Sequence, residues 1–253
     1  MAAAAAEEEA HGGISPVAHT FFYLGSIPVS ETIFSAWIVM AVLVIFSLLA
    51  TRNMKSVPSG IQNVAEAIVE AWLRIIEQTA GPRGRRFLPV VLTAFLFILF
   101  SNWIGTLPFF GNVPGFRSAN SDLNVTASMA VIVFFLAQFF AVKSAGIGGY
   151  LKEFLIPNPL HVLTELSRPL SLSFRLFGNI FAGEVLLHTM LGIAPYVLFV
   201  FLGLELFVGV IQALIFAMLT LVFLSIATAH EHGAHGEEHG KPIEGAHGAA
   251  PHM

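Results

Sequence analysis

The sequence predicts an all-α integral membrane protein of about five membrane helices plus one amphipathic helix, the last two membrane helices forming a long hairpin. Three observations carry this. Hydrophobic residues make up 56% of the 253, charged residues only 11%, and mean hydropathy is +0.78. A soluble domain needs roughly twice that charged fraction to cover its surface. The charges fall in clusters, separated by uncharged runs at 32–51, 87–116, 123–142, 185–204 and 206–229. A hydrocarbon core of about 30 Å is spanned by about 20 helical residues, so the first three runs read as ordinary spans.

The elements follow in chain order. Residues 1–30 read as an N-terminal external segment. Their start, MAAAAAEEEAHGG, has no basic n-region and does not resemble a cleavable signal peptide. Residues 31–229 form the membrane domain, with ordinary spans near 31–52, 87–108 and 124–143. Segment 58–80 is different. Ile61, Val64, Ile68, Trp72 and Ile75 make an apolar helical stripe, and Asn63, Glu66, Glu70, Arg74 and Glu77 lie opposite. That is an amphipathic helix lying along the membrane or against a partner. Helices near 161–191 and 196–229 are separated by Gly192 and Pro195, which marks a hairpin. Residues 230–253 hold six of the ten histidines and read as a disordered tail.

Basic residues set the orientation. Arg52, Lys55, Arg74, Arg83, Arg85 and Arg86 lie between the first two spans, and Lys143, Lys152 and Arg168 follow the third. The connection 108–123 carries only Arg117. The basic loops are expected in the cytoplasm, which places the N-terminus outside and the C-terminus inside. The mild net charge of −4 gives no sign of nucleic acid, and the absence of cysteine excludes disulfides and thiolate chemistry. No cofactor or metal site is expected, and no phosphate-binding G-x-x-x-x-G-K-[ST] run is present.

The hairpin carries the chemistry. A charge inside a membrane helix costs about 2.5–3.5 kcal/mol on insertion scales, so it defaults to a functional reading. Arg175, Glu184 and Glu205 are such charges. At 100° per residue, Ser171, Arg175, Asn179 and Ala182 share a face. Glu184, nine residues on, points about 180° away, with His188 one turn beyond it. Glu205, Gly209 and Gln212 line up on the second helix. With the turn near 193–194, Arg175 stands level with Gln212. Glu184 stands level with Glu205, about 13 Å nearer the turn. Carboxylates and imidazole can pass protons in a watery cleft. A guanidinium cannot, because it stays protonated. It would block leakage between two clefts and attract a passing carboxylate.

The runs LSLSFRLFGNIFAGE (170–184) and IQALIFAMLTLVFLS (211–225) closely resemble subunit a of bacterial F-type ATP synthases. SDLNVTASMAV (121–131) and YLKEFLIPNPL (150–160) are also similar to that family. The resemblance implies a proton-channel stator subunit in a bacterial inner membrane. Two half-channels and an essential arginine would couple proton flow to rotation of a c-ring, and so to ATP synthesis. It implies Arg175 as that arginine, Asn179 and Gln212 as polar positions near it, and Glu184 and Glu205 as periplasmic half-channel positions. It further implies that Asp122 and Asn124 line access from that side, that Ser171 and Glu165 stand towards the cytoplasmic exit, and that the last two helices are long and tilted. Expected partners are the c-ring, peripheral-stalk b subunits, the remaining synthase subunits and membrane lipid. The chain would not be an enzyme on its own, since ATP chemistry falls to other subunits. The alternatives are a secondary transporter, which would show internal repeats, and a purely structural subunit of another complex, which would tolerate loss of Arg175. A haem carrier would need axial ligands, typically paired histidines within the spans, whereas only His188 lies well inside one and His161 is at an edge.

Overall fold

The computed structural model describes residues 20–24, 27–106, 117–155 and 159–228. The expected tail 230–253 and residues 1–19 of the expected external segment lie outside these. The described residues hold six α-helices, of which five are long and apolar enough to cross a membrane. One small addition departs from the all-α reading. Strands β1 (Thr20–Leu24) and β2 (Ile27–Ser30) form an antiparallel pair. A lone two-stranded hairpin is marginal in water. This one buries Val29 and runs directly into helix α1 (Glu31–Thr51). Ser30 caps that helix, its hydroxyl accepting from the Ile33 N–H, and Glu31 lies in the positive first turn.

Helix α1 buries Thr32, Ser35, Ala36 and Val39 on one side and exposes Trp37, Met40, Val44, Ile45 and Leu48 on the other. Such an apolar outer face is stable only where lipid or another apolar surface replaces water. Helix α2 (Ile61–Ala80) is the amphipathic element. Its buried line is Trp72 and Ile76, with Ile68 and Ile75 packed beside them, while Ile61 and Val64 are exposed. The apolar stripe is thus only partly covered within the chain, and its first turn is left open. There Gln62 is the inward residue, bonded at 3.0 Å both from the Lys55 N–H and to the Lys55 carbonyl. This pins the preceding loop and rotates Ile61 and Val64 outward.

A 3₁₀ turn (Pro82–Phe87) leads into α3 (Leu88–Thr106), and a second (Ala119–Ser121) leads into α4 (Leu123–Leu155). Helical residues continue past the expected end of the third span at 143. They do not make one straight rod, because Gly146 has φ 72° and ψ 159°, a conformation that favours glycine. The membrane-length part is Leu123–Ser144. Helix α5 (Pro159–Ile193) carries Pro169 internally, and α6 (Leu198–Ala227) returns after a short turn. With 35 and 30 residues they are about 52 and 45 Å long. Both exceed the hydrocarbon core and must tilt or overhang.

Two apolar clusters join the bundle. Ala94 and Ile98 of α3, Val133 of α4, Leu172, Leu176 and Ile180 of α5, and Phe216 of α6 form the first. Trp72 and Ile76 of α2, Phe87, Val91 of α3, and Leu221 and Leu224 of α6 form the second. Helix α6 is shared by both clusters, so its inward face is set by packing along most of its length.

Candidate functional site

Leu172, Leu176 and Ile180 recur at helical spacing and bury one side of α5. That side fixes what the other side shows. Leu170, Ser171, Phe174, Arg175, Gly178 and Ala182 are exposed, so Arg175 stands on an open face of the bundle. Among the described residues it has no hydrogen-bond or ion-pair partner. A Cβ at Gly178 would meet nothing within 4 Å, so space beside the guanidinium is clear on that side. Asn179 flanks the face half-buried, and its Nδ2 is buried without a hydrogen bond among the described residues. On α6, Val200, Leu204, Phe207, Ile211 and Leu214 recur at helical spacing and are likewise exposed. A membrane-buried cation on a partnerless face is costly unless a complementary charge comes to it.

Towards the turn the chemistry changes. Glu184 points away from the Arg175 face, as its spacing predicts, and meets Arg117. The Arg117 Nε donates to Glu184 Oε2 at 2.8 Å, with the two side chains only 13% and 16% exposed. The guanidinium also lies 5.9 Å from the Phe181 ring centroid, a cation–π contact from the same helix. Glu205 crosses from α6 to the same level. Its carboxylate lies where a Cβ on Gly183 would stand, so the missing side chain is what admits it beside Glu184.

A third group of polar residues ties this level to the rest of the bundle. Asp122 is 6% exposed and has both oxygens engaged. One accepts the Asn124 N–H at 2.8 Å, capping α4, and the other accepts the Thr32 hydroxyl of α1 at 2.8 Å. Asn120 donates to Asn102 Oδ1 at 2.7 Å, and Asn102 donates to the Gly209 carbonyl of α6 at 3.2 Å. Gly209 leaves room for this contact, since a Cβ there would lie 3.1 Å from that of Asn102. Ser118 donates to the Ser101 carbonyl at 3.1 Å.

The residues singled out from sequence therefore separate into groups. Arg175 and Ser171 share the open face, with Asn179 at its edge. Glu184 and Glu205 come together. Gln212 is buried on the inward face of α6 beside Gly209 and Ala213. His188 is exposed one turn beyond Glu184, and Asn124 is exposed at the start of α4. The side chain of Glu165 lies outside the described part. Sequence reasoning passed over Arg117, Asn102, Asn120 and Thr32. Two signals could have found some of them. Arg117 is the lone basic residue of a connection expected outside, and Asn102 is an amide inside an uncharged run.

Comparison with known proteins gives one consistent result. Residues 33–225 match the family described as ATP synthase A chain. The chain is 37% identical over 211 residues to ATP synthase subunit a of Moorella thermoacetica, covering 81% of this chain and 93% of that protein. It is 36% identical over 229 residues to ATP synthase subunit a of Campylobacter jejuni, covering 85% and 93%. It is 34% identical over 219 residues to ATP synthase subunit a 2 of a Bradyrhizobium species, covering 84% and 96%.

Proposed function

This chain belongs to the ATP synthase A chain family, the proton-translocating stator subunits of the membrane sector, and we propose that its open α5–α6 face is where the rotor passes Arg175. It is a multi-pass membrane protein of bacterial type and acts in proton transport and ATP synthesis together with other synthase subunits. The secondary-transporter reading is not favoured. The observation that carries the proposal is Arg175, a guanidinium exposed on a largely apolar face.

The mechanism follows from that placement. A c-ring would present one membrane-embedded carboxylate after another to this face. Arg175 would attract each as an anion, and since it does not give up its own proton it would bar direct leakage. Protons would reach the ring from the outer side through the level of Glu184 and Glu205, and leave on the cytoplasmic side past Ser171. Asn179 and Gln212 would serve as polar neighbours of the exchange. Asp122 and Asn124 fall at the outer end, where Asp122 holds α1 to α4. Each charge crossing the membrane releases about 2.3 kcal/mol per 100 mV. This chain would make and break no bonds of ATP, and peripheral-stalk b subunits would hold it against the turning ring. The N-terminus would lie outside and the C-terminus in the cytoplasm.

The test is ATP-driven proton pumping in inverted membrane vesicles carrying the assembled complex. Arg175→Ala is expected to abolish it, and Arg175→Lys to leave it severely impaired, because an ammonium lacks the planar fork. Pumping at the normal rate by Arg175→Ala would refute the proposal. Copurification of the chain with a c-ring and the soluble ATPase head tests the partners.

A further inference from the structure

We infer that Arg117 is a positioning residue for proton transfer: its buried pairing favours the ionised form of Glu184, leaving Glu205 as the carboxylate at this level that takes up and releases protons. The inference rests on the reading of the chain as a proton conductor and divides roles that the acidic pair would otherwise share.

The geometry of the two glutamates is unequal. Glu184 is the acceptor half of a buried ion pair with Arg117 at 2.8 Å, and Ser118 and Ser121 stand beside it. Arg117 is itself held, its guanidinium set against the Phe181 ring. Placing a proton on Glu184 would replace that ion pair by a buried guanidinium facing a neutral carboxyl. Removing one member of a buried pair is far more costly than removing both. Glu205 has no such partner, since no cation pairs with it among the described residues. Its carboxylate rests against the α5 backbone at Gly183 and is more exposed than that of Glu184. The ionisable group that meets the pair among the described residues is Arg117, from the connection before α4, while His188 follows Glu184 one turn along α5 and is exposed. The consequence is an electrostatic division of labour. Arg117 and Glu184 together form a neutral wall, and one proton at a time passes over Glu205.

The experiment compares Glu184→Gln, Glu205→Gln, Arg117→Gln and the double variant Arg117→Gln/Glu184→Gln in the assembled complex. ATP-driven pumping and passive proton conduction are measured in vesicles across a pH series. The amount of chain in the membrane is determined by immunoblot. Glu205→Gln is expected to lose pumping about tenfold or more. Arg117→Gln and Glu184→Gln each neutralise one half of the buried pair and should each lose about tenfold, and the double variant should recover at least about threefold over either, because it removes both buried charges together. The pH profile should move in Arg117→Gln and revert in the double variant, which a merely structural role would not produce. Normal pumping by Glu205→Gln would overturn the inference, as would a double variant no better than its single variants. If a single variant fails to accumulate in membranes, the double variant beside Glu205→Gln decides: a double variant as inactive as Glu205→Gln overturns the inference. Arg175→Ala in the same vesicles keeps the two levels apart: its normal pumping would refute the proton-conductor reading, whereas its loss beside a dead double variant refutes only the division of roles.

Discussion

Asp122 shows how much a single side chain can hold. Its two oxygens cap α4 and receive the Thr32 hydroxyl of α1, so it joins two membrane helices through one buried group. Asp122→Ala removes the cap and the bond between the two helices, leaving the Thr32 hydroxyl only Ser30 as a partner, the lost cap alone being about 1 kcal/mol. The expected result is a lower unfolding temperature for the purified complex, with Asp122→Asn closer to the parent because its amide oxygen still accepts. Equal melting of the two variants would contradict this account. At the same scale, Arg175 was legible in the sequence because a charge inside an apolar helix has few explanations and helix spacing fixes its face. The partner of Glu184 was not legible. Arg117 lies 67 residues away in a connection, and no periodicity says where a connection returns. The Asn120–Asn102–Gly209 chain was hidden for the same reason, since it joins three elements whose mutual rotation only packing decides.

The hairpin of α5 and α6 depends on a close approach. Gly183 gives up its side chain so that the Glu205 carboxylate can lie against the opposite helix. Gly183→Ala is expected to push that carboxylate away and reduce pumping strongly while the chain still inserts. Gly178→Ala, on the open face where a Cβ meets nothing within this chain, should be milder, provided the rotor leaves a methyl's width beside Arg175. Pumping assays on the pair would reveal a reversed order. Helix α2 supplies the contrast. Its Glu70–Arg74 bridge at 2.9 Å is exposed on both sides, so Arg74→Ala should alter stability by less than about 0.5 kcal/mol. Element types and most spans could be read from hydrophobic runs. The first turn of α2 and the break at Gly146 could not, because a hydrogen-bonded glutamine and a positive φ override periodicity there.

For the molecule as a whole, the sidedness of the bundle is open to a direct experiment. The chain has no cysteine, so one introduced at Tyr23, before α1, or at Met54, after it, reports without background. Both positions are well exposed, at 69% and 71%. A membrane-impermeant maleimide added to intact cells is expected to label Cys at position 23 and spare position 54, and to do the reverse in inverted vesicles. The same pattern of labelling on both would overturn the proposed orientation. The fold class was legible at this scale from composition alone, since too few polar residues exist to coat the helices in water. Asn102 grips the backbone of α6 at Gly209, and Asn102 is itself held by Asn120. A stator that faces a turning ring is pushed sideways along its surface, and a compliant surface would bend with each step and dissipate the stroke as heat. By fastening the mid-section of α6 to α3, the two asparagines pass that lateral load into the bundle instead of leaving it on the short turn after Ile193. In the proposed complex they would act as a brace between α6 and α3.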